Sequence, residues 1–349
     1  MATDDLLIER LLRVIDEGRR TATYKMALLI ALIDAAASLP GEREIPTRLI
    51  AERVLEIYFP QTRPYVDRAG DSHAPRQIAM KSSAVLTAVE ELRRIGLSSG
   101  ARSLAEVRRA AAGAVESTIG AIEDTFVRYP IPLLQVVGAR TVPFLYDVEW
   151  EEGTSARSLR QRGADRIWLL DGVAERLVVL GPMLRPLIEL HWTRDVAKWS
   201  GIPSEDESLR LHLFGASRVG FPSPLVRDLR ALQDNRCFYC EERLGTRCEV
   251  DHFVAWSRWQ NDAVENLVVA DRCNGAKSDH LAASRHLARW RLRLEAQAID
   301  LGRIAEAAGW PSASSRTWAL ARSTYEHVAP GTPLWVQGKE FELATGSVW

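Results

Sequence analysis

The chain has 349 residues, 46% of them hydrophobic and 26% charged, which is length for about two domains and excludes a disordered tail or a fibre. With 45 Lys and Arg against 46 Asp and Glu the formal net charge is -1, so any grip on a polyanion has to come from a local patch. The start MATDDLLIER is acidic where a signal peptide is basic, and the longest apolar run near it, Met26 to Ile33, is far shorter than the roughly 20 residues of a bilayer span. These features predict a cytoplasmic protein with no membrane partner.

Leu7, Leu11, Val14 and Ile15 recur at spacings of three and four. They open a helical domain over 1–130, either a plain bundle or one with a helix-turn-helix-like unit. Tyr24 to Ala37 is apolar almost all round, the pattern of a helix inside a bundle. Thr47 to Tyr58 reads as a shorter amphipathic helix closed by Pro60, and the polar stretch Gln61 to Pro75 as a loop. Two further helices are expected, Gln77 to Ile95 stopped by Gly96, and Leu104 to Val127 stopped by Pro130. Residues 131–221 read as a mixed connector with a small strand insert (Val142 to Val148, Arg166 to Leu170), a polar link (Glu149 to Gly163) and an amphipathic helix (Leu184 to Trp199). A lead-in helix, Leu225 to Gln233, starts a domain over 222–293, and residues 294–349 form a helical extension. The predicted class is mainly α, and α+β overall.

All four cysteines, Cys237, Cys240, Cys248 and Cys273, fall within one window of 37 residues. In a reducing compartment such clustering points to metal ligands or reactive thiols rather than disulfides. Cys237-x-x-Cys240 is a tight turn that aims two thiolates at one metal. A β-like stretch then ends in Asp251-His252, and a polar loop leads to a second strand over Glu265 to Val269. Cys273-Asn274 opens a helix that carries Lys277.

From Cys237 to Ala288 the chain resembles the HNH endonucleases, the ββα-metal nucleases, on five ordered elements: CxxC, DH, an ENLV strand, CN and a following Lys. The resemblance implies a ββα-metal domain over 222–293 that hydrolyses DNA phosphodiester bonds with one divalent ion, Mg²⁺ or Mn²⁺. It also implies that the amide of Asn266 pins the hairpin loop and orients His252. Many relatives carry a second CxxC before the helix; here Cys273 matches its last cysteine, and Ala270 stands three positions earlier. The cysteines therefore either hold a structural Zn²⁺, with Asp271 or Cys248 as fourth ligand, or pack as small hydrophobes. One such site cuts one strand, so double-strand cleavage needs a homodimer or two successive nicks. Family analogy suggests restriction or anti-phage (antiviral) defence, with a defence-system partner protein. Two other readings stand beside this one: an RNA nuclease, which would share every motif residue, and a non-catalytic zinc-stabilised nucleic-acid-binding module. The intact set of Asp251, His252, Asn266 and Asn274 argues against the second of these.

The residue chemistry points the same way. Phosphodiester hydrolysis needs a deprotonated water and positive charge at the phosphate. His252 suits the role of general base, since an imidazole titrates near neutral pH. Asp251 and Asn274 offer hard oxygen ligands to Mg²⁺ or Mn²⁺. Neighbouring strand residues face opposite ways, so Asp251 and His252 can converge only if the strand ends or bulges there. From Arg272 to Arg293 six basic residues stand against the single acid Asp279. That excess predicts a phosphate-tracking surface with Lys277, Arg272, Arg285 and Arg289 as contacts. Trp256 and Trp259 flank the catalytic loop and are expected in core or lid packing. His280, six positions after Asn274, lies off that residue's helical face.

Overall fold

The computed structural model describes residues 2–16, 21–67, 70–80, 83–137, 140–202, 207–215 and 220–349. The chain forms two units, Met1–Gly215 and Ala216–Trp349, and is a mainly helical α+β protein with five small sheets among the described residues. The expected mixed connector is not a separate region, because residues 131–215 are built into the first unit. Among the described residues no helix is long and apolar enough to cross a membrane.

In the first unit α1 (Ala2–Asp16) buries Leu7, Leu11 and Ile15. The segment that is apolar all round becomes α2 (Tyr24–Ser38), buried continuously from Met26 to Ala37. Strand β1 (Glu44–Pro46) leads into α3 (Thr47–Gln61), which runs past its expected stop with Pro60 in the last turn. The predicted loop holds a two-residue hairpin, β2 (Tyr65–Val66) and β3 (Ser72–His73). Helix α4 (Ala84–Ser98) begins later than expected, at a Ser83 cap whose hydroxyl accepts from the Leu86 amide at 3.1 Å. Gln77 is instead a buried polar hub. Its amide donates to Gln61 Oε1 at 2.9 Å, and its Oε1 accepts from Trp192 Nε1 at 2.6 Å.

Helix α4 also continues through Gly96, whose role is close packing: a Cβ there would meet Val107 Cγ2 at 2.5 Å. The expected single helix over 104–127 breaks at Ala111, giving α5 (Leu104–Ala110) and α6 (Ala112–Arg128). Pro130 opens the short α7 (Pro130–Leu133), a position where its missing N–H costs nothing. The hairpin of β4 (Val136–Val137) and β5 (Arg140–Thr141) follows, then β6 (Tyr146–Asp147), α8 (Ala156–Arg162) and β7 (Arg166–Leu169). Helix α8 lies inside the stretch read as a polar link, defined by the Ser155 cap and by Gly163 at φ +66°. Strands β1, β7 and β6 form an antiparallel sheet with β7 in the middle. Helix α9 (Val173–Ser200) passes through Pro182 and Pro186, starting well before the expected Leu184, and packs along α2. Helix α10 (Glu207–Phe214) closes the unit.

The second unit begins with α11 (Ser223–Leu232), followed by antiparallel β8 (Glu249–His252) and β9 (Leu267–Ala270), the latter preceded by a 3-10 turn at Val264–Asn266. Helix α12 (Arg272–Lys277) is six residues long; α13 (Ser284–Ala296), α14 (Ala298–Ala308) and α15 (Ser314–Glu326) complete the helices. The expected helical extension ends instead in a hairpin, β10 (Pro333–Gln337) and β11 (Glu340–Leu343). Trp335 of that hairpin donates to Leu281 O at 2.7 Å and accepts from the Ala283 amide at 2.8 Å, which fixes the segment after α12. The core stacks Phe253 on Trp290, with centroids 4.9 Å apart.

Inside the first unit α2 and α9 bury charge as well as apolar surface. Asp34 pairs with Arg185, and Glu189 lies 3.7 Å from Arg210. Burial pushes the Glu189 carboxyl up to about 7, against the opposing pull of Arg185 and Arg210. The folded chain therefore binds a proton there that the unfolded chain has lost, and stability contributed by the neutral acid falls as pH rises from about 4.5 to about 7. Glu189→Gln should remove that slope, gaining on wild type by roughly 3 kcal/mol across the window in urea unfolding; parallel profiles would contradict it.

Candidate functional site

The CxxC turn and α12 are held against the β8–β9 hairpin. The strands pair with Asp251 opposite Val268 and His252 opposite Leu267. Strand β9 is buried along its whole length, as its sequence LVVA requires. The CxxC turn is docked on it by the Phe238 amide, which donates to Val269 O at 3.0 Å. The turn closes with Glu241 at φ +61°. Asp271 caps α12, its carboxylate accepting from the Cys273 amide at 3.2 Å.

Among the described residues, one group of His, Cys, Asp or Glu side chains could hold a metal ion: Cys237, Cys240, Asp271 and Cys273, with ligand atoms all within 4.8 Å of one another. The set fits a tetrahedral metal, whose bonds to sulfur of about 2.3 Å place neighbouring sulfurs about 3.8 Å apart. Cys237 sulfur is further met by the backbone N–H groups of Cys240, Asp271 and Tyr239, which favour a thiolate, while burial pushes its thiol pKa up. Burial and the neighbouring sulfurs raise Cys273 as well. Cys248, offered by the sequence as an alternative fourth ligand, lies outside the group, and its sulfur accepts from Arg230 Nη1 at 3.7 Å. Asp271 takes that place.

Asp251 and His252 face opposite sides of β8. The Asp251 carboxylate, 7% exposed, is held by the Lys277 ammonium at 3.0 Å and by the Tyr239 hydroxyl at 2.5 Å. Lys277, expected at a phosphate, is wholly enclosed; it also donates to His252 O at 3.1 Å. Asn274 turns to Glu249, donating to its Oε2 at 2.6 Å. This arrangement does not fit a divalent ion on Asp251 and Asn274. The carboxylate is already neutralised, and a dication 4 Å from an ammonium would meet a repulsion on the order of 8 kcal/mol at an effective dielectric of 20.

His252 Nε2 lies 2.7 Å from Asp262 Oδ1, and its ring is flanked by Phe221 and Trp256 with centroids 5.9 and 5.4 Å away. A carboxylate can only accept, so Nε2 carries the hydrogen and Nδ1 is the basic nitrogen. Asn266 is buried, and its amide ties the loop together. Its Oδ1 accepts from the Val254 amide at 2.9 Å, and its Nδ2 donates to Val254 O and Asn261 O, each at 3.0 Å. Trp259 is buried, donating to Thr324 Oγ1 at 2.8 Å. Asp262 and Tyr239 were missed by sequence reasoning. Tyr239 sits inside the CxxC turn, whereas no spacing rule marks Asp262 within its polar loop.

The basic run from Arg272 does not form one free face. Arg272 is exposed and pairs with Glu242 at 3.0 Å. Arg289 donates to Phe238 O at 2.7 Å and pairs with Glu241 at 2.9 Å. Exposed Arg285 donates to Val336 O at 3.0 Å, and Arg291 lies over the rings of Trp318 and Trp349. Arg293 is buried, and burial lowers its pKa to about 10. His280 is exposed and edge-on to Phe341.

Metal analysis tests the sulfur cluster directly. The purified full chain should carry one tightly held metal ion, lost on Cys273→Ser and kept on Cys248→Ser. Metal lost with Cys248 or absent from the wild type would contradict the assignment.

No curated protein and no solved structure matches the chain. Residues 5–210, nearly the whole of the first unit, match the model of a domain of unknown function, DUF8808. The chain thus belongs to the DUF8808 family.

Proposed function

We propose that the chain is an HNH-type endonuclease that hydrolyses DNA phosphodiester bonds, with His252 as general base. One observation carries the reading: the His252 imidazole, at the end of β8, is fixed by Asp262 from one side while Asn266 pins the loop behind it with three hydrogen bonds. An orienting carboxylate and a rigid support are what a general base needs to meet a water in one geometry.

In this reading His252 Nδ1 takes the proton of a water as its oxygen bonds to phosphorus; the bond from phosphorus to the sugar 3′-oxygen breaks, that oxygen leaves with the electron pair and takes a proton from solvent, and Asp262 stabilises the imidazolium that forms. Phe221 and Trp256 present flat apolar surface beside the base, suited to sugar or base stacking. Of the expected phosphate contacts, Arg272 and Arg285 are the exposed ones, and in this reading they track the backbone. The metal of the cysteine cluster is Zn²⁺ in a closed structural site, since four protein ligands leave no position for water. Held by these four residues, it would clamp the CxxC turn to the start of α12. No step runs through Mg²⁺ or Mn²⁺ on Asp251 and Asn274. A cytoplasmic role in restriction or anti-phage defence goes with this reading.

The test is nicking of supercoiled plasmid, run beside a labelled single-stranded RNA, with and without added Mg²⁺. Wild type should nick the plasmid, and His252→Ala should lower the rate roughly 10²–10⁴-fold with metal content and DNA binding unchanged. Asp262→Asn should give a smaller loss. Equal cleavage by His252→Ala would contradict the role of His252, and cleavage of the RNA alone would move the substrate to RNA.

A further inference from the structure

We infer that the cation serving Asp251 is the Lys277 ammonium itself, so that this carboxylate takes no divalent ion. The inference concerns the site proposed above and rests on that reading only for its place in catalysis. Lys277 is 0% exposed, and its Nζ reaches three acceptors: Asp251 Oδ2 at 3.0 Å, His252 O at 3.1 Å and Ser278 O at 3.4 Å. An ammonium has three hydrogens, and all three are used. The carboxylate is equally committed. Its Oδ2 takes the Tyr239 hydroxyl at 2.5 Å as well as Lys277, and its Oδ1 lies 3.4 Å from the same Nζ.

The neighbouring oxygen ligands are also spoken for. Glu249 shares the face of β8 with Asp251 but pairs with Asn274, so the amide expected to complete a metal site is turned to a different carboxylate. Lys277 is the last residue of α12, and Ser278 follows at φ +49°. The ammonium is thus carried at the end of a short helix whose first turn belongs to the sulfur cluster through Cys273. Entry of a dication would require a fully enclosed cation to leave three acceptors at once. Lys277 is therefore a positioning residue: through the His252 carbonyl it holds the strand end that carries the base.

The test is a Mn²⁺ titration of the zinc-loaded full chain read by electron paramagnetic resonance, a readout independent of cleavage. Wild type and Asp251→Asn should leave the same free Mn²⁺ signal. Lys277→Met strips the carboxylate of its counter-charge, and should bind Mn²⁺ at least tenfold more tightly than wild type, a gain that adding Asp251→Asn removes. Capture of one Mn²⁺ per chain by wild type and its loss in Asp251→Asn would overturn the inference, and that comparison stands even if Lys277→Met fails to fold. Because nicking is not measured, failure here and failure of the nuclease reading are separate outcomes.

Discussion

The second unit depends on one buried ion pair, Asp251 with Lys277. It joins the end of β8 to the end of α12, and the Tyr239 hydroxyl brings the CxxC turn to the same carboxylate. Removing one partner of a buried pair typically costs about 3–5 kcal/mol because the other charge is left uncompensated. The pair matters here beyond its energy. Helix α12 has six residues, far fewer than an isolated helix needs, so its shape comes from tertiary anchors. Lys277 anchors its C-terminal end, and Asp271 and Cys273 its first turn.

With that frame fixed, the pose of His252 follows. Its carbonyl is held by Lys277, its ring by Asp262, and the loop after it by Asn266. Each of these three contacts is a hydrogen bond in a low-dielectric interior, which makes the arrangement around the imidazole rigid. The price is paid in cation capacity: a carboxylate that secures the strand by pairing with an ammonium is no longer a vacant ligand. The candidate metal cluster and the His252 imidazole are thereby built from different residues, sulfur and Asp271 on one side, imidazole and Asp262 on the other.

Much of this was legible in the sequence where chemistry acts locally. The all-round apolar segment became α2, the order of CxxC, DH, ENLV and CN located the hairpin, and the Asn266 amide bonds the backbone of the loop between the strands. What was not legible depends on packing. Gly96 reads as a helix stop, yet it admits Val107 against α4. The amphipathic pattern starts a helix at Leu184, yet packing against α2 carries α9 back through Pro182 to Val173. Helical spacing places Lys277 near the face of Asn274 but says nothing about depth, so an enclosed ammonium looked like a phosphate contact. Asp262 reaches His252 across a loop whose course no periodicity predicts. In the first unit the family match over 5–210 and the boundary after Gly215 nearly coincide.

The most direct measurement is anomalous scattering from crystals of the full chain soaked with Mn²⁺, collected at the zinc and manganese edges. The account predicts a zinc peak among Cys237, Cys240, Asp271 and Cys273, no manganese beside Asp251, and Lys277 in place on the carboxylate. A manganese peak bound by Asp251 and Asn274 with Lys277 displaced would contradict it.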